Sequence, residues 1–116
     1  MKIQTAAIID QLLIDDKRVD LAEEHFIELE FSAIDTGGGF KDPILDFSIK
    51  VPDKMPIDVG QLVVVGLRNP QQEERKVAFE YKMPEEQRGS NIAINGRLKG
   101  DQLSREVIGF VLQLLR

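Results

Sequence analysis

His25 is the only histidine in the chain and follows Glu23 and Glu24 directly. An imidazole beside carboxylates can be tuned as a general base or can start a metal site. A catalytic zinc takes several His or Cys ligands, and this chain has one His and no Cys. His25 therefore reads as a surface residue at the start of a strand, and no metal is expected. The run Thr36-Gly37-Gly38-Gly39-Phe40-Lys41-Asp42 has successive glycines whose N–H groups could converge on an anion, with a lysine in reach. A phosphate loop ends in Gly-Lys-Ser/Thr and runs into a helix. Here Asp42-Pro43 follows and the next segment alternates as a strand, so the run reads as a hairpin loop with Phe40 as an exposed contact residue.

The carboxylates of Glu28, Glu30, Asp46 and Glu80 are candidates for paired acid–base chemistry. All four fall on the polar side of alternating segments, with Lys50, Lys82, Arg97 and Lys99 on neighbouring ones, so a solvated face of mixed sign is expected. Ser32, Ser48, Ser90 and Ser104 lie in no Gly-x-Ser-x-Gly elbow. An oligonucleotide-binding barrel would show aromatics among basic residues on its outer face. Phe31, Phe47, Phe79 and Tyr81 instead share the apolar side, and Arg88, Arg97, Lys99 and Arg105 leave only a weak basic patch. No catalytic residue, cofactor or metal ligand is expected.

The elements that carry these residues belong to one domain. The chain has 116 residues and a mass of 13.1 kDa, and area scaling gives about two-thirds of the unfolded surface buried on folding, enough to hold without staples. With 42% hydrophobic and 30% charged residues the composition is that of a globular protein rather than a disordered one. The net charge of −5 opposes long-range attraction to phosphate backbones and anionic lipid. Zero cysteine fits a cytoplasmic address. The N-terminal apolar runs Ala6–Ile9 and Leu12–Ile14 are too short and too little charged in front for a signal peptide, and no segment has the length for a membrane span.

Alternation of side chains marks strands over 25–34, 44–51, 59–68, 75–83 and 91–99. Val59 to Leu67 is apolar on both sides, which suggests burial of both faces. Residues 1–14 fit neither strict alternation nor a narrow helical stripe; a strand covered on both sides is favoured, with a helix as the alternative. Between the last two strands an eight-residue connection would put Met83 opposite Ile92, Tyr81 opposite Ile94 and Phe79 opposite Gly96. Asn95-Gly96 then lies within a strand as a bulge, and a two-residue hairpin turn there is the competing reading. Residues 101–116 form a helix capped by Asp101. Its apolar arc covers roughly 200°, against roughly 100° needed to seat it on one sheet.

These elements predict an α+β fold: a mainly antiparallel five- to six-stranded sheet in meander-like order, with one C-terminal helix packed on its apolar face. The surplus apolar girth of the helix points to a non-enzymatic cytoplasmic interaction or assembly module, homo-oligomeric through Val107, Phe110, Val111, Leu114 and Leu115, with Phe40 as a further contact. In layout alone, sheet first and helix last in a small acidic chain, it resembles the SecB-type export chaperones. That resemblance implies a chaperone or adaptor taking apolar peptide as the second reading. An oligonucleotide-binding barrel is the third, and neither nucleic acid nor membrane is expected as a partner.

Overall fold

The structure is a computed structural model that describes residues 1–21, 24–50, 60–84 and 93–115. The strands are β1 (Lys2–Ile14), β2 (Lys17–Arg18), β3 (His25–Asp35), β4 (Phe40–Lys50), β5 (Leu62–Asn69), β6 (Gln72–Lys82) and β7 (Ala93–Lys99). A 3-10 turn at Gly100–Gln102 leads into the helix α1 (Arg105–Gln113). All seven strands belong to one antiparallel sheet in the order β6-β5-β1-β3-β4-β7, with β2 paired to β1. The fold is thus an antiparallel sheet with one C-terminal helix. The order is meander-like within the hairpins β3–β4 and β5–β6, which flank the first strand on opposite sides.

Residues 1–14 are a strand rather than a helix, and a bulge explains why their pattern fits no simple period. β1 pairs with β3 through residues 2–9 and with β5 through residues 8–14, and the β5 register shifts between Ile9 and Gln11. One extra residue resets the parity of the strand. Ala7 and Ile9 face the core before the bulge, and Leu12 and Ile14 after it. The strand then turns through Asp15 and Asp16, whose φ values of 49° and 65° meet the demand of a tight two-residue hairpin for two left-handed positions.

β7 does not pair with β6. It runs along β4, with Phe47 opposite Gly96 and Ile49 opposite Ile94, in one unbroken register. The expected pairings of Tyr81 with Ile94 and Phe79 with Gly96 are therefore not made, no bulge interrupts β7 at Gly96, and Ile92 lies outside the described residues. Val51 and Val59, where two strands were expected to end and begin, also lie outside them.

Phe47 and the aromatics of β6 are four strand spacings apart along the hydrogen-bonded path, roughly 19 Å if the sheet were flat. Yet the Phe47 ring lies 5.0 Å from both Phe79 and Tyr81. The sheet is therefore strongly curled, and its concave side holds the core, including Leu29, Phe31, Leu45, Val63, Val65 and Leu98. Gly96 lies against both the Phe47 and the Tyr81 ring. A Cβ there would sit 2.3 Å from Phe47 Cζ and 2.7 Å from Tyr81 Cζ, so only glycine leaves room for the two rings.

The helix enters this concave side and packs against β6. Its N-cap is Ser104, whose Oγ accepts a hydrogen bond from the Val107 N–H at 3.2 Å. Asp101 is not the cap, because the 3-10 turn intervenes and inserts Leu103 into the core before α1 begins. Val107, Phe110 and Val111 are 1%, 5% and 0% exposed. The wide apolar arc is thus filled largely by the chain's own curled sheet. The inference that its girth requires a second chain is corrected by this packing.

Candidate interaction surface

The structure divides the six expected interface residues. Val107, Phe110 and Val111 are core and reach no surface. Leu114 is half-buried against the core, and Leu115, at 51% exposure, faces solvent beyond the helix end. Phe40 opens β4 and is half-buried, with its ring edge-on to Phe31 at a centroid distance of 5.6 Å. It is not the exposed loop residue expected, because the glycine turn is closed beneath it. The Thr36 hydroxyl donates to the Gly39 carbonyl at 2.9 Å, and the Gly37 N–H donates to Asp35 Oδ1 at 2.9 Å.

Two of the four outward carboxylates, Glu30 and Asp46, form cross-strand pairs, and Glu28 and Glu80 form none with a described residue. Register sets Gln4, Glu30, Asp46 and Arg97 side by side across β1, β3, β4 and β7. Arg97 grips Asp46 through Nε at 2.7 Å and an Nη at 3.1 Å. Glu30 accepts from Gln4 at 3.1 Å and pairs with Lys2 at 3.1 Å. These partners, the Gln4 amide first and then Lys2, hold the Glu30 carboxyl below its ordinary value of 4.5. Beside this row run Glu28, Ser48 and Asn95, and between the two rows lies an open groove of about 820 Å³. The buried residues Leu29, Phe47 and Tyr81 also line the groove, together with Pro84 and Gly96.

Every acid in the first row is matched by a cation or amide, as the mixed-sign reading requires. His25 lies in a smaller neighbouring depression with Glu24, Phe26 and Lys50. Among the described residues no group of three His, Cys, Asp or Glu is placed to hold a metal ion.

A different surface emerges on the convex side of β1, β5 and β6, and the pattern of the sequence gives its cause. Antiparallel sheets with one wet face alternate apolar inside and polar outside. β1 and β5 break that rule on the outside. Leu13 pairs with Val64, both half-buried, and Leu62 beyond them is 38% exposed. Towards the other end Ile8, 3% exposed, is flanked across the strands by Phe26 and Arg68. Phe26 is 53% exposed. Burial on both faces, expected for β5, is therefore only half realised within one chain: Val63, Val65 and Leu67 are fully buried, while Leu62 is exposed and Val64 and Gly66 are half-buried.

Charges frame this strip. Asp10 binds Arg68 at 3.4 Å and Lys76 at 3.3 Å, closing one end. At the other end Arg18, Glu80 and Lys82 are exposed, and none of them forms an ion pair with a described residue.

No described helix is long and apolar enough to cross a membrane. No family model, curated protein or solved structure matches the chain.

Proposed function

We propose that the protein is a non-enzymatic interaction module that assembles with itself through the convex face of β1, β5 and β6. One observation carries this reading: two adjacent strands at the middle of the sheet hold apolar side chains outward, with Leu13 and Val64 as direct neighbours and Leu62 next to them. Covering half-exposed Leu and Val side chains returns about 1 kcal/mol each, and the central aliphatic patch with a charged margin has the anatomy of a protein interface. The absence of cysteine supports a reducing compartment as the place of work. The charge of −5 disfavours a nucleic-acid partner.

The test is mass by light scattering over a dilution series. The wild type is expected to pass from assembled to single chains on dilution. Leu13→Asp and Val64→Asp are expected to stay single at every concentration while keeping the circular dichroism of the folded sheet. Gln113→Glu, on the helix and remote from this face, is expected to assemble as the wild type does. A wild type with the mass of one chain throughout would overturn the reading. Binding of an unfolded client by that single chain, lost in Leu13→Asp, would establish the peptide-binding chaperone in its place.

A further inference from the structure

We infer that the convex face is covered by a second copy of the chain, related to the first by a two-fold axis that runs parallel to the strands between β1 and β5; this rests on the assembly reading above. The arrangement of charge at the ends of two registered rows carries it. In one row Arg18, Leu13, Val64 and Glu80 follow one another across β2, β1, β5 and β6. In the next row the Asp15 N–H and Oδ1 are hydrogen-bonded to Leu62 at 2.9 and 3.0 Å, and Leu62 stands opposite Lys82. The first row therefore reads positive, apolar, apolar, negative. The second reads negative, apolar, positive.

A two-fold axis lying in the interface along the strands reverses every row as it lays one face upon the other. Leu13 then rests on the partner's Val64, Arg18 meets the partner's Glu80, Asp15 comes over the partner's Leu62, and Asp16, on the β2 side of the turn, meets the partner's Lys82, each contact occurring twice. An axis lying across the strands, centred on the same face, would instead oppose Lys82 to the partner's Lys76. Stacked sheets of this kind cross at about 30°. At a row end, about 7 Å from the axis, the crossing alone offsets facing residues by about 4 Å, and the convex curl adds to their separation, so the contact takes the full length of the arginine and glutamate side chains. Arg18 and Glu80 are also free to make the contact, since both are exposed and neither is engaged by a described charge of its own chain.

Charge reversal on the full chain tests the axis separately from the face. At low salt, Arg18→Glu and Glu80→Arg are each expected to weaken self-association by about tenfold or more, because each turns two attractive contacts repulsive. The double variant R18E/E80R is expected to recover to within about threefold of the wild type. An equimolar mixture of the two single variants is expected to form dimers more tightly than either alone, since both contacts are then complementary. Melting temperatures within about 2 °C of the wild type would show that the fold is intact. Wild-type affinity in all three variants, with Leu13→Asp still monomeric, would overturn the axis and leave the face standing. A monomeric wild type would overturn both.

Discussion

Gly96→Ala is the sharpest test of how the sheet curls. The added methyl would meet Phe47 Cζ at 2.3 Å, Phe47 Cε1 at 2.6 Å and Tyr81 Cζ at 2.7 Å. Carbon atoms rest about 3.5–4.0 Å apart, so the Phe47 ring would have to retreat by more than about 1 Å. It has nowhere to go: Phe47 is 4% exposed and lies 5.0 Å from both Phe79 and Tyr81. Overpacking of a filled core costs about 1–3 kcal/mol, and two trapped rings place this substitution near the upper value. For a chain of this length that lowers the melting temperature by about 10–15 °C.

Gly109→Ala is the control. Its Cβ meets nothing within 4 Å and it lies inside α1, so alanine is expected to stabilise by about 0.5–1 kcal/mol through helix propensity. Phe47→Leu removes two of the three clashing atoms, and in that background the cost of Gly96→Ala is expected to fall by at least half in a double-mutant cycle. Thermal melting followed by circular dichroism reads all four proteins. A shift of less than about 2 °C for Gly96→Ala would refute both the placement of β7 beside β4 and the stacking of the two rings on it.

Ser104→Ala is expected to cost about 1 kcal/mol in urea unfolding, and Asp101→Ala almost nothing, because only the first removes a helix cap. Phe110→Glu buries a charge in the core at a position 5% exposed and is expected to unfold the chain at neutral pH, seen as loss of the circular dichroism of the sheet. The Glu30 carboxyl titrates below its ordinary value of 4.5, so the stability it contributes is present above that value and is lost as pH falls through the lower folded one. Gln4→Ala and Lys2→Ala are each expected to raise its midpoint, measured by carboxyl carbon shifts in NMR, with Gln4 the larger contributor; an unchanged midpoint in both would contradict the pairing.

Period-two alternation located β3, β4, β6 and most of β7 from side chains alone, because each of these strands faces the core on one side and water on the other. The same logic placed Phe31, Phe47, Phe79 and Tyr81 inside. Strand neighbours were not legible. Met83 and Ile94 are close in sequence, but alternation says which way a residue points and nothing about which edge its strand joins, and β7 crosses to β4. The helix misled in another way: an arc too wide for a flat sheet fits a curled one, and no local pattern encodes curl. The convex strip had a signal, the doubly apolar runs of β1 and β5. It could be located only once register showed that Leu13 and Val64 are neighbours.

The central position of β1 also bears on the order in which the molecule can be made. Its partners on β5 lie between 49 and 60 residues further along, from Ile14 with Val63 to Ile8 with Arg68. During synthesis β1 leaves the ribosome before either partner and can close its β3 edge with a short loop, while its other edge waits for about 50 further residues. Such distant pairings are slow to form, and an oily strand with one open edge is vulnerable to foreign pairing meanwhile. The nascent chain thus passes through a period in which β1 has been made but its β5 partner has not.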